Sequence, residues 1–225
     1  MIFYFRISFV SLLVIVFTTQ LNAQQLKEEI AVNKNAISVT IQPFYLLKNA
    51  AKIDIEFQKS GRNFAYILSP EVYAGNVRDA TTLSSIRNEN TDKINGFGIG
   101  LLQKYKKKDK IGGPYLAYGV TYRYQTIDYE SEDFKQFEED GFTFYEYRPI
   151  KDVLKINSFL FSGTFGFQKV KRDFVYDLYT GFGYKKPSIK STYPEARKYN
   201  QGFNSYAYDG VVFLLGFKMG YQIKK

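Results

Sequence analysis

The chain contains no cysteine, no histidine and no tryptophan among its 225 residues. Each absence closes a class of explanation. Without cysteine there is no disulfide and no thiol for lipoprotein processing. Without cysteine or histidine, a zinc or copper site lacks its usual ligands, and no metal or other cofactor is expected. Ser-His-Asp and Cys-His catalysis fall for the same reason. A calcium site built from oxygens alone stays open. Long apolar runs are scarce as well. Ile7–Thr18 holds roughly a dozen mostly apolar residues, whereas a membrane-spanning helix needs about 20.

That short run has another reading. It follows Met1–Arg6, which carries one positive charge, and precedes Thr19-Gln20-Leu21-Asn22-Ala23. This is the layout of a secretory signal, with cleavage expected after Ala23 and residues 24–35 left as a linker. The formal charge is +9. Many of the basic residues fall in short turns and at the chain's end: Lys59, Arg62, Lys106, Lys107, Lys108, Lys110, Lys169, Lys171, Arg172, Lys224 and Lys225. They form a rim rather than one groove, so nucleic acid is not an expected partner. Anionic headgroups are the better match.

What the chain has in quantity is alternation. From Pro114 to Tyr129, Leu116, Tyr118, Val120, Tyr122 and Tyr124 alternate with Ala117, Gly119, Thr121, Arg123 and Gln125. A strand sends successive side chains to opposite faces, so this segment has an oily face and a small or polar one. The same period predicts eight strands, near residues 36–46, 52–58, 63–75, 95–105, 114–129, 156–168, 173–185 and 210–223. Links after the second, fourth and sixth are short. Those after the third, fifth and seventh, residues 76–94, 130–155 and 186–209, are long. Alternating short and long links, with 36–225 as one unit, describe an up-and-down antiparallel β-barrel.

Which face points inward decides the environment. A soluble ligand-binding barrel would turn its oily face in. Here the other face is made of Gly, Ser, Thr and isolated charges, and eight such faces are not expected to make a dry core. The oily faces hold enough Phe, Tyr, Leu, Ile and Val for a lipid belt of about 25 Å. An outer-membrane barrel is therefore expected, non-enzymatic and monomeric, in contact with outer-membrane lipid and lipopolysaccharide. The alternatives are a soluble periplasmic barrel, a narrow ion pore, and a membrane-lipid enzyme working without histidine.

The signal, the Gly-aromatic strands Gly163-Thr164-Phe165-Gly166-Phe167 and Gly181-Phe182-Gly183-Tyr184, and the final strand carry a resemblance. The layout resembles the small eight-stranded outer-membrane barrels of the OmpA transmembrane-domain type, including exported barrels of Gram-negative bacteria. The resemblance implies insertion by the outer-membrane assembly machinery. It departs at the chain's end, Gly220-Tyr221-Gln222-Ile223-Lys224-Lys225, where Tyr221 or Ile223 stands in for a terminal aromatic. No wall-binding domain is expected, so the resemblance does not imply a wall-tethering role.

Two constellations are candidate sites. On the lumen face, Asp54, Glu56, Glu71, Lys104, Arg123, Asp177 and Lys218 are expected to form an ion-paired plug. Glu71 and Arg123 should share a height, and Asp177 and Lys218 should be neighbours. The long link 130–155 is acidic and aromatic, with Glu132, Asp133, Glu138, Glu139, Asp140, Tyr145 and Tyr147. It is expected to be a solvated loop folding back as a short hairpin, suited to contact a surface protein or glycan. No catalytic set stands out.

Overall fold

The computed structural model describes residues 35–77, 92–106, 112–192 and 199–224, with side chains omitted at 131–135, 148–150 and 224. The signal Met1–Ala23 and all of the linker before Asn35 lie outside the described residues. Eight strands, β1 Ala36–Ile41, β2 Ala50–Gln58, β3 Phe64–Val77, β4 Asp92–Lys106, β5 Gly113–Glu139, β6 Phe142–Lys171, β7 Phe174–Lys190 and β8 Gly210–Lys224, follow one another. Each pairs antiparallel with the next and β8 pairs with β1, closing an all-β barrel.

The register fixes the barrel's shape. Directly opposite cross-strand partners lead from Lys185 to Leu160, Thr121, Gly100 and Ser69. The β2–β3 register then brings Asp54 opposite Ser69, and the walk continues through Thr40 and Gly220. It returns to β7 at Val175, ten residues from its start. That stagger tilts the strands by about 40° and leaves an interior just wide enough for side chains to fill.

The oily face points outward. Leu101 is 61% exposed and Phe182 64%, and Phe97, Leu116, Tyr118, Phe161, Phe165 and Leu215 are similarly open. On β7 this face runs from Phe174 to Tyr184. Ten residues at that tilt span about 25 Å, the height of a lipid belt. The inner face carries the buried charges. No described helix is long and apolar enough to cross a membrane.

Three expectations need correction. The first strand stops at Ile41, because Pro43 opens a 3-10 turn, Pro43–Lys48, that ends on left-handed Asn49. Its apolar Phe44 and Leu46 read as strand but, with Leu47 beside them, stay exposed, continuing the outer face where β1 and β2 are short. Second, the link 130–155 is not a loop. β5 and β6 pair without a bulge from Gly113↔Gln168 to Glu139↔Phe142, closed by Asp140-Gly141. Both turn residues have positive φ, 50° and 76°, the geometry of a two-residue hairpin turn. β4 ends its pairing at Asp128 and β7 at Lys155. Beyond them the ribbon stands alone from Glu130↔Lys151 to its tip, roughly 30 Å at the usual rise.

Third, the upper lumen is dry. Near the long-link end, Ile94, Ile127, Leu154 and Ile156 are fully buried with Ala50, Tyr73, Val77 and Tyr129. Tyr199 and Ala207, from the segment between β7 and β8, complete this cluster. The inward positions are mainly polar through the middle and lower lumen, and near the mouth the buried Asp92 and Lys185 interrupt the apolar cluster.

Candidate functional site

Strand parity brings all seven predicted lumen residues inside, where they sort into three levels. At the short-turn end, Lys104 Nζ lies between Glu56 Oε2 at 2.9 Å and Asp177 Oδ2 at 3.0 Å. It also sits 3.8 Å above the Tyr115 ring, whose hydroxyl donates to Asp177. Lys106 Nζ donates to Glu56, and to Gln168 Oε1 at 2.7 Å. Lys106 thus belongs to the lumen and not to the basic rim, because it shares inward parity with Lys104. Lys107, Lys108, Lys110 and Lys225 of that rim lie outside the described residues.

At mid-height Asp54 accepts from Lys218 Nζ at 2.5 Å, Gln42 Nε2 at 2.8 Å and Ser69 Oγ at 2.6 Å. Tyr179 donates to Gln42 at 2.6 Å. Asp177 and Lys218 are cross-strand partners, as expected, but their ion pairs run elsewhere. Asp177 bonds Lys104 and Lys218 bonds Asp54, because each long side chain reaches across the lumen rather than along the wall.

Above these, Glu71 accepts from Arg123 Nε at 2.7 Å, Arg123 NH2 at 3.2 Å and Tyr73 at 2.7 Å. Lys52 Nζ is 3.0 Å from the same carboxylate. Tyr45, turned in from the 3-10 element, receives Arg123 NH2 at 3.3 Å. A buried charge is tolerated only when paired, and here five cations meet four carboxylates with tyrosine, glutamine and serine filling the remaining bonds. Lys52, Gln42, Gln168, Tyr115 and Tyr179 were not singled out in the sequence, and Lys106 was expected on the rim. Two of them follow from parity, since Lys52 is two residues before Asp54 and Lys106 two after Lys104.

Glycines make room for the inward rings. A Cβ on Gly166 would lie 2.4 Å from the Tyr115 ring, and one on Gly216 2.3 Å from Tyr179. Each tyrosine lies flat across a glycine on the adjacent strand, which lets its hydroxyl reach the network.

The mouth is capped. Lys185 Nζ donates to the carbonyls of Ser205 at 3.1 Å and Tyr206. Tyr206 donates to the Lys48 carbonyl at 3.0 Å, and Tyr199 donates to Asp92. Outside the belt, Lys186 and Asp209 form an exposed pair at 2.8 Å. Their hydrogen bond raises the ammonium's pKa and lowers the carboxyl's.

The ribbon holds the second candidate set. Glu138 and Glu139 end β5, Asp140 is in the turn, and Tyr145 and Tyr147 lie on β6. Glu132 and Asp133 sit further down β5, with side chains not described. Parity divides the tip. Glu138 shares a face with Tyr145 and Tyr147, while Glu139 shares the other with Phe137, Phe142 and Phe144. The Phe137 and Phe144 rings stack at 5.5 Å. Glu138, Glu139 and Asp140 therefore do not converge, and no group of three metal-ligating side chains occurs among the described residues.

No family model matches the chain. No curated protein matches it either. Among solved structures it is similar to a major outer membrane protein from Thermus thermophilus, with 9% identity and a TM-score of 0.45 over 84% of this chain and 98% of that one. It is also similar to Acinetobacter baumannii CarO, at 13% identity and 0.38, over 88% and 100%. Acinetobacter baumannii CarO2 gives 13% and 0.32, over 85% and 98%. Identities and scores this low carry no role over to this chain.

Proposed function

We propose that this chain is a sealed outer-membrane barrel with a structural and surface-interaction role, and that it catalyses no reaction. Its wall faces lipid through the aromatic and aliphatic belt. The long-link end faces outside, and the ribbon projects from it. The observation that carries the reading is the filled lumen. Three ion-paired levels and an apolar cap occupy it in turn, so an ion entering from one end meets bonded side chains at each height. The tip from Gln136 to Tyr147 carries four acids, five aromatic rings and no base. Exposed rings beside carboxylates suit recognition of a surface protein or glycan.

The test has two arms. The folded protein in a planar bilayer is expected to be electrically silent, and discrete conductance steps would favour the narrow-pore reading instead. In detergent, the unboiled protein is expected to migrate differently from the boiled one. Absence of that shift, with the protein in the soluble periplasm, would remove the membrane reading altogether. Turnover of outer-membrane lipids by the pure protein would remove the non-enzymatic one.

A further inference from the structure

We propose that the outer wall between β6 and β7, just beyond the apolar belt, binds the phosphate of a lipid headgroup, such as that of lipopolysaccharide, through Lys155 and Lys190. The site rests on the outer-membrane reading and names the lipid partner. Lys155 and Lys190 are direct cross-strand partners. Lys155 has the outward parity of Phe159 and Phe161, and Lys190 that of Tyr184 and Phe182, so both stand on the lipid side of the wall. Both are exposed.

Two like charges placed directly opposite on one face repel. Neighbouring lysines escape this: Lys186 pairs with Asp209, Lys151 with Glu130, and Lys93 faces Asp128. Lys155 and Lys190 have no carboxylate in ion-pair contact among the described residues. Asp128 lies only diagonally from Lys155, whose direct partner on β5 is Thr126. An anion seated between the two ammoniums would turn the repulsion into attraction.

Position selects the anion. Lys155 is four residues past Phe159 and Lys190 six past Tyr184, about 10–15 Å beyond the last rings at this tilt. The headgroup layer, about 5–8 Å deep, lies between. Lysine stems bend back toward such an interface. The next outward rung down pairs Asn157 with Ser188. Tyr122 donates to Asn157 Oδ1 at 2.8 Å, leaving its amide nitrogen as a donor. Two ammoniums above and an amide and a hydroxyl below match the oxygens of a phosphate monoester. The acyl chains of the lipid that carries that phosphate would lie on Phe159, Phe161, Phe182 and Tyr184.

The test uses the full chain folded in non-ionic detergent, with bisphosphorylated lipid A, dephosphorylated lipid A and inorganic phosphate as probes. Binding is read by native mass spectrometry. The phosphorylated lipid is expected to bind, and the K155Q/K190Q double variant to bind about 25-fold more weakly, about fivefold from each lysine. K186Q should bind as wild type. Equal binding of dephosphorylated lipid, or of the double variant, would overturn the site. Competition by millimolar inorganic phosphate would overturn the lipid as its occupant. The heat shift on the same samples separates the causes. A shift without phosphate discrimination removes the site alone, whereas no shift removes the membrane reading and the site with it.

Discussion

Glu71→Gln is the sharpest probe of the plug. The side chain keeps its shape and loses its charge. In the native lumen this fully buried carboxylate serves Arg123 through two nitrogens, at 2.7 and 3.2 Å, and Lys52 at 3.0 Å. The amide would leave both cations buried with no carboxylate in contact among the described residues. Removing one partner of a buried pair costs about 3–5 kcal/mol, so the unfolding equilibrium should move by two to more than three powers of ten. Glu130→Gln removes an equally short pair, with Lys151 at 2.6 Å, but on the exposed ribbon. That change should cost about 0–1 kcal/mol. Urea unfolding in lipid vesicles, followed by the gel shift, measures both. Adding Arg123→Gln to Glu71→Gln should recover part of the loss, since it removes one stranded cation. If Glu71→Gln costs no more than Glu130→Gln, the lumen is wet enough to screen its charges, and the sealed-lumen argument fails.

Further outcomes test other parts of the molecule. Gly166→Ala and Gly216→Ala should each cost about 1–3 kcal/mol by displacing Tyr115 and Tyr179, whereas Gly163→Ala, with open space at its Cβ, should be near neutral in the same unfolding assay. Deleting residues 131–139 and 142–150 together keeps Asp140-Gly141 as the turn and preserves register, so the gel shift should survive while binding by any surface partner is lost. A loss of the shift would mean that the ribbon is needed for the barrel to close. Gly141→Ala, at φ 76°, should destabilise the tip by about 1 kcal/mol and speed limited proteolysis there without altering the shift. Tyr199→Ala removes the ring from the apolar cap and should raise hydrogen exchange at Ile94 and Ile127 ahead of Lys104. Uniform exchange along the lumen would contradict the cap.

The barrel was legible because its wall is two-sided. One face of each strand meets an oily medium and the other a polar interior, so period 2 survives from Leu116 to Tyr124 and from Phe174 to Tyr184. The ribbon loses that signal because both faces meet solvent. Phe142, Phe144, Tyr145 and Tyr147 follow no single parity, and only Asp140-Gly141 marked the turn. The 3-10 element was hidden for the opposite reason, since its apolar residues are exposed to the same medium as the strands they continue. The Glu71–Arg123 pairing could be read from strand position. The crossed pairs Asp54–Lys218 and Asp177–Lys104 could not, because they depend on reach across the lumen and on stagger. The apolar cap, too, is assembled from the tops of β2 to β6 and a distant segment, which no local pattern links.

The uninterrupted β5–β6 hairpin also bears on assembly. If the chain enters the membrane from the short-turn side, the Asp140-Gly141 tip is the leading edge. A zipped hairpin carries its own backbone hydrogen bonds, so the passage of peptide groups through hydrocarbon is not the obstacle. The obstacle is the four carboxylates at and beside the tip, each of which must leave water before it regains it. Insertion of this barrel should therefore be limited by the transit of one charged hairpin end, and neutralising Glu138, Glu139, Asp140 and Glu146 should speed unassisted insertion into vesicles while leaving the finished barrel unchanged.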